Sequence, residues 1–282
     1  MSIYIKMDDI YAHKKISVDK LKKDLQKLLD VEASGNRCFA GNAFLYHHMI
    51  EHLCRVRLRG RYSLEDIVKN PSDYTSFYDG LMKLNRAGTM AYRIYEHHRF
   101  NGGVVFFKPT IAKYIARLFG AKHMLDPCAG WGGRMLGAWA AGCDYTGYDT
   151  NVDLCAAYDT MISYLKDSGG ITMRWENFLT ADISGMDYDL VLTSPPYYNL
   201  EVYQHMEPFK NKSAYYQDFL IPLIQKSIDN MKSGWVCINI SPKIYKELTE
   251  DYGFQPCIKK VPMLQQKRLN RDKGDFIYCW TK

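Results

Sequence analysis

The stretch Leu125-Asp-Pro-Cys-Ala-Gly-Trp-Gly-Gly-Arg134 decides how the chain folds. His123–Asp126 has the pattern of a short strand. Pro127 stops it, because proline has no N–H to give to a ladder. Gly130, Gly132 and Gly133 follow, and they let the backbone turn sharply and come close to a ligand. A helix predicted over 133–141 then turns its free N–H groups toward the same space. A tight strand-to-helix turn that binds nothing has the same local pattern, so the choice between the two rests on the rest of the chain.

Outward from that turn the chain alternates. Strands are predicted at 123–126, 145–149, 172–175, 190–193, 236–240, 257–261 and 276–280, and helices at 110–119, 133–141, 152–167 and 213–231. This alternation begins near residue 104 and marks an α/β layer fold. The last two strands are expected to form a hairpin, with Tyr252-Gly-Phe254 near its start. Residues before 104 read as helical instead. Ser17 is positioned to cap a helix whose apolar residues Val18, Leu21, Leu25, Leu28 and Leu29 follow the 3.6 period. A second helix fits 43–54, and one or two more fit 72–100, with a break near Gly88. Two regions result: a mainly helical one, 1–103, and an α/β one, 104–282.

Composition bounds the function classes. The 282 residues are 47% hydrophobic and 24% charged, as in an ordinary globular protein, and suffice for one large domain with or without a smaller one. Aromatic content is high at 14%, so rings could fill a core or serve as platforms for bases. Net charge is +6, and residues 1–100, with 17 basic and 12 acidic side chains, carry most of it. That bias fits a polyanionic partner without demanding one. The eight cysteines include no Cys-x-x-Cys pair, so no zinc cluster is expected, and reduced buried thiols in a cytoplasmic protein are the simplest account. Early acids at Asp8 and Asp9 argue against a signal peptide, and no run of 18 apolar residues suggests a membrane span.

Three further strand ends carry chemistry. Gly147-Tyr-Asp149 puts an acid at the end of the next strand, 23 positions after Asp126. A carboxylate there suits a pair of hydroxyls, or caps a helix opening at Val152. The third end is Trp175-Glu-Asn-Phe178, where Glu176 or Asn177 could read a polar ring edge and Phe178 could stack. The fourth is Thr193-Ser-Pro-Pro-Tyr197: a hydroxyl, two prolines that stiffen the loop, and an aromatic ring.

In this order the motifs resemble the S-adenosylmethionine (SAM)-dependent amino-methyltransferases that act on DNA bases, and the resemblance covers roughly 104–282. It implies a class I methyltransferase domain, a Rossmann-like seven-stranded sheet, with a helical N-terminal extension. Asp126, Cys128, Gly130 and Gly132 would belong to the SAM motif, Asp126 meeting the cofactor's ammonium directly or through water and Asp149 its ribose. Asn177 and Phe178 would hold the adenine. Phe106-Phe-Lys-Pro-Thr110 looks like the segment folded over the methionine end, with Phe106, Phe107, Pro109 and Thr110 as contacts. Ser194, Pro195, Pro196 and Tyr197 would be the catalytic loop. An exocyclic amine is a poor nucleophile because its lone pair is delocalised into the ring. Ser194 Oγ and a main-chain carbonyl, expected at Pro195, would draw it toward tetrahedral geometry while Tyr197 stacks on a base rotated out of the duplex. A serine at the first catalytic position is typical of cytosine-N4 enzymes, where adenine-N6 enzymes carry Asp or Asn. The expected partner is double-stranded DNA, and no metal is needed. The same loop type leaves open an amine in RNA or a protein amide as substrate, and a non-catalytic DNA-binding subunit is the alternative of another class.

Only 85 residues follow Tyr197, too few for a C-terminal recognition domain beside the remaining strands. Recognition is therefore expected from 1–100, from 198–213, from 265–273 or from a partner. Arg55, Arg57, Arg59 and Arg61 alternate and would share one side of an extended segment, as a phosphate-contacting edge or as a solvated face. Lys267, Arg268 and Arg271 form the second basic group. His48 and His52 share a helix face without a third ligand in pattern, so half-buried histidines are favoured over a metal site.

Overall fold

The structure, a computed structural model, describes residues 5–32, 38–58, 62–84, 87–100, 104, 106–167, 170–198, 201–202, 205–263 and 276–282. The chain opens with helices α1 (Met7–Ala12), α2 (Val18–Asp30) and α3 (Asn42–Leu53). Leu21, Leu25 and Leu28 of α2 are buried as the period requires, while Val18 (50% exposed) and Leu29 (38%) lie outside the stripe. Ser17 stands at the cap position of α2, but its side chain makes no capping bond. A two-residue strand β1 (Arg57–Leu58) leads to α4 (Leu64–Lys69), which sequence periodicity did not pick out. Its Ser63 and Asp66 form a capping box. After a 3-10 turn at Pro71–Tyr74 come α5 (Thr75–Met82) and α6 (Met90–Phe100), separated near Gly88 as expected.

The α/β part follows as α7 (Pro109–Leu118), β2 (His123–Asp126), α8 (Gly133–Ala141), β3 (Asp144–Tyr148), a 3-10 turn (Val152–Leu154), α9 (Cys155–Ser163), β4 (Ile171–Arg174) and β5 (Leu190–Thr193). Beyond β6 (Glu201–Val202), the segments α10 (Lys212–Ala214), a π-helical turn Tyr215–Leu220 and α11 (Ile221–Asp229) run on continuously. Then come β7 (Trp235–Ile240), α12 (Pro242–Glu250), β8 (Lys259–Pro262) and β9 (Phe276–Thr281). Helix α12 was not among the expected elements. Its local signal is Ser241-Pro242: Ser241 Oγ accepts the Ile244 N–H at 3.2 Å, and proline occupies the first helical position.

Seven strands form one sheet in the order β4-β3-β2-β5-β7-β9-β8, with only β9 running against the others. Numbered within the sheet this is 3-2-1-4-5-7-6, the order of the Rossmann-like class I SAM-dependent methyltransferase fold. Strand β5 is apolar and buried throughout, because a central parallel strand is covered on both faces. Leu190 and Leu192 join the core shared with α2, α3, α7 and α8, while Val191 joins the one under α11 and α12. The first core runs across the 103/104 boundary suggested by the sequence. A smaller third core joins α1, α4, α5 and α6 to the back of α3.

Lys113 of α7 secures the junction. It is fully buried, and its Nζ donates to the Leu28, Leu29 and Val31 carbonyls at 2.8, 2.7 and 2.9 Å. These belong to the C-terminal turn of α2, whose carbonyls have no helical partner. Burial pulls the Lys113 pKa below the ordinary lysine value.

Candidate active site

Chain order reverses between β2 and β5, whose neighbours on either side run in opposite sequence directions. Ligands of open α/β sheets sit outside the carboxyl ends of the strands at such a point. A cavity of about 690 Å³ lies there, walled by the ends of β2, β3, β4 and β5, by Phe106 and Phe107, and by His205–Glu207, Phe209, Phe219 and Leu223. Its volume is that of a small-molecule or cofactor site.

The turn after β2 forms the floor. Gly132 adopts φ +81°, a left-handed conformation that glycine takes without strain, and starts α8. A Cβ on Gly133 would run into the Phe107 carbonyl oxygen, so that glycine lets the Phe106–Phe107 segment close over the turn. Tyr158 Oη donates to the Ala129 and Gly130 carbonyls at 3.3 and 3.0 Å, and the Cys128 N–H reaches Thr193 Oγ1 at 3.2 Å. Adjacent strand ends are thus tied together beneath the cavity.

Asp149 stands on the wall. Its Oδ2 accepts the Gly130 N–H at 2.7 Å and its Oδ1 the Asn151 N–H at 2.9 Å. Burial raises its pKa above the usual carboxylate value; the two N–H groups oppose that and the nearby Asp126 adds to it. Beside it Asn151 Oδ1 is buried on the wall and has no hydrogen-bond partner among the described residues.

Asp126 behaves differently from its expected role at a ligand ammonium. It is fully buried and off the cavity wall. Its Oδ2 takes Arg134 Nε at 2.7 Å and Tyr145 Oη at 2.8 Å, and its Oδ1 accepts the Cys128 N–H at 3.4 Å. Arg134 also donates to the Cys128 carbonyl and lies against the Phe107 ring. Arg134 is on the wall and was missed from sequence. Its signal is a cation in the first turn of a helix, where the dipole opposes positive charge unless an acid answers it. Among the other expected cofactor contacts, Phe106, Phe107, Cys128, Gly130, Asn177 and Phe178 line the cavity. Gly132, Pro109 and Thr110 do not: Pro109 heads α7 and Thr110 Oγ1 donates to the Cys38 carbonyl at 3.2 Å.

After β4, Asn177 Oδ1 accepts the Leu179 N–H at 2.9 Å and folds the loop into a turn. Lys226 of α11 holds that loop from behind, donating to the Phe178, Leu179 and Ala181 carbonyls at 2.7, 2.9 and 2.5 Å. Phe178 packs edge-on against Tyr148 and still reaches the wall beside Glu176.

At the far end, Ser194, Pro195, Pro196 and Tyr197 share the cavity with Asp149. Ser194 Oγ donates to Asn239 Oδ1 at 3.2 Å, and Asn239 Nδ2 donates to the Phe276 carbonyl at 3.1 Å. Asn239 was also missed, although it is the lone amide in the apolar run Val236-Cys-Ile-Asn-Ile240. The roof follows the Ser194–Tyr197 loop. β6 pairs antiparallel with β1, Arg57 opposite Val202. His205 has φ +61° and places Nε2 3.2 Å from Asp153 Oδ2, bridging to the turn after β3. The π-helical turn carries Phe219 to the wall, and Tyr215 within it packs edge-on against Phe209. Glu176, Glu207 and Asp149 give the wall an acidic character, since Arg134 is already paired with Asp126.

Of the basic residues expected at a nucleic acid, Arg55 and Arg57 face α4. Arg55 Nε lies 3.5 Å from Glu65, and Arg57 Nε and Nη2 lie 3.2 and 3.3 Å from Asp66. Arg59, Arg61, Lys267, Arg268 and Arg271 fall outside the described residues. His48 is partly buried between Phe44 and Tyr164, and among the described residues no group of three His, Cys, Asp or Glu side chains could hold a metal ion. The eight cysteines are unpaired. Among the described residues no helix is long and apolar enough to cross a membrane.

No protein-family model matches the chain, and no curated protein matches its sequence. Solved structures share part of its architecture. An RNA methyltransferase from Salinibacter ruber in complex with S-adenosyl-L-homocysteine is 16% identical, over 63% of this chain and 93% of its own, with a TM-score of 0.42. An rRNA methylase from Streptococcus thermophilus is 11% identical, over 62% and 97%, with a TM-score of 0.41. TrmN from Thermus thermophilus is 13% identical, over 61% and 48%, with a TM-score of 0.43.

Proposed function

We propose that the protein is a SAM-dependent methyltransferase that acts on the exocyclic amine of a flipped base in double-stranded DNA, with cytosine N4 the favoured position. One observation carries this: Ser194 and Tyr197 stand at one end of a single cavity whose other end holds Asp149 and the glycine-rich turn. The residues fit the cofactor. Asp149 and the unpartnered Asn151 Oδ1 are adjacent acceptors for a pair of ribose hydroxyls. Phe178 and Asn177 suit an adenine. The N-terminus of α8 suits a carboxylate, and the acidic wall suits a cation.

Bound there, SAM supplies an electrophilic methyl group, with the C–S bonding pair returning to sulfur. The residues of this chain do the rest. Ser194 accepts a hydrogen bond from the substrate amine and draws its lone pair out of conjugation. Tyr197, Phe209 and Phe219 offer apolar faces to a planar ring. The nitrogen forms the N–C bond and releases one proton to water. Catalysis is orientation and fixed dipoles, without a general base at Ser194.

The test incubates the protein with labelled SAM and double-stranded DNA, total RNA or a protein lysate, followed by digestion and chromatography. Label in N4-methylcytosine is the expected result. Label in N6-methyladenine alone overturns the base preference, and label only in RNA or protein overturns the DNA substrate.

A further inference from the structure

We propose that Asn239 is a positioning residue that fixes the polarity of Ser194 and so restricts the substrate to a group that brings its own hydrogen-bond donor. This rests on the methyl-transfer reading above. An amide's oxygen and nitrogen are told apart by their partners. Here one partner is decisive: the Phe276 main-chain carbonyl accepts only, so the atom 3.1 Å from it is Nδ2. Oδ1 then faces Ser194 at 3.2 Å and can only accept. A serine hydroxyl has one hydrogen, and Asn239 takes it. What remains toward the cavity is lone pairs.

The sheet makes this arrangement rigid. Thr193 pairs with Ile238 in the parallel ladder, which sets Ser194 level with Asn239. Asn239 pairs with Ile277 on β9, the one reversed strand, which brings the Phe276 carbonyl within reach. Asn239 is 5% exposed, so no water shell competes for its amide. A Ser194 held as an acceptor suits an amino group, which has hydrogens to give. It offers nothing to a substrate whose reacting atom is a ring carbon or a bare oxygen. The chain therefore selects a hydrogen-bearing group, such as an amine, at a residue 45 positions from the catalytic loop.

The experiment is steady-state methyl transfer by the full-length protein, using tritiated SAM and double-stranded plasmid DNA, with kcat and KM measured separately. Asn239→Ala should lower kcat about 10- to 100-fold and leave the KM for SAM unchanged, since one preorganised contact is lost. Asn239→Asp, which keeps an oxygen for the serine proton but loses the donor to the Phe276 carbonyl, should recover part of that loss. In a Ser194→Ala background, Asn239→Ala should cost nothing further, because its effect passes through the hydroxyl. Additive losses, or full turnover in Asn239→Ala beside an active wild type, would overturn the role of Asn239 and leave methyl transfer standing. A wild type that transfers nothing to DNA or RNA would overturn both. If Asn239→Ala fails to fold by circular dichroism, the comparison of Ser194→Ala with Ser194→Ala/Asn239→Asp carries the same test: equal rates support the proposal, and unequal ones overturn it.

Discussion

The two ends of the cavity are built in different ways. At the Asp149 end, neighbouring strand ends hold one another through the N–H groups of one turn: Gly130 N–H to the Asp149 carboxylate, Ala129 N–H to the Tyr148 carbonyl, Cys128 N–H to Thr193 Oγ1. At the Ser194 end the parts come from β5, the π-helical turn, β7 and β9, while His205 reaches back to Asp153 after β3. The first end is a property of the sheet. The second is an assembly of distant pieces, joined by side chains and by the short β1–β6 ladder. Damage at the first end should therefore appear in stability and cofactor affinity, and damage at the second in turnover.

The largest effect should come from beneath the first end. Arg134→Met leaves the Asp126 carboxylate buried without its cation, and breaking a buried pair costs about 3–5 kcal/mol. Denaturant unfolding should show a midpoint shift of that size, whereas a shift no larger than for an exposed pair would mean that Asp126 is served by Tyr145 and Cys128 alone. Next, Ser194→Ala should reduce turnover by about 10²–10³-fold, the scale for one transition-state contact. Calorimetry should find its SAM affinity unchanged; a matching loss of affinity would erase the division between the two ends.

Asp149→Ala should weaken SAM about 10- to 100-fold, the value of a hydrogen bond to a charged group, with the fold retained. The same carboxylate predicts a pH dependence. Its pKa is raised by burial, so it takes up a proton at a higher pH than an ordinary aspartate and then loses acceptor capacity. SAM affinity in wild type should fall as the solution is acidified, from a higher pH than for an exposed carboxylate, and the Asp149→Ala protein should lack that fall. The smallest effect belongs to Arg55 and Arg57. Two free phosphate contacts would flatten the plot of log affinity against log salt by about two units. Pairing with Glu65 and Asp66 predicts a smaller change for the double glutamine variant, and a full two-unit change would show that DNA displaces those acids.

The contrast between the ends also explains what the amino-acid sequence could tell. Strand, turn and helix at 123–141 are specified within twenty residues by proline, glycine and apolar spacing, and they fold as read. Asp126 was assigned to a ligand because the pattern shows that an acid ends the strand and cannot show which way it faces; Arg134, eight residues on, claims it. Asn239, 45 residues from Ser194, and Lys226, 48 from Phe178, act across the sheet. Nothing in local periodicity encodes such a contact. The α2 stripe fails at its margins for a related reason: the period finds Leu21, Leu25 and Leu28, but the width of the covered face is set by what packs there.

Lys113 has a consequence for how the chain can be cut. Its ammonium is buried from solvent and answered by no acid at bonding distance among the described residues; the Leu28 and Leu29 carbonyls of α2 and that of Val31 just after it do that work. A fragment beginning at residue 104 would bare this charge in the middle of an apolar helix face formed by Ile111, Ala112 and Ile115. The helical segment is on this account fitted against α7 and α8 rather than merely attached to them, and the α/β part expressed alone should aggregate more readily than the whole chain.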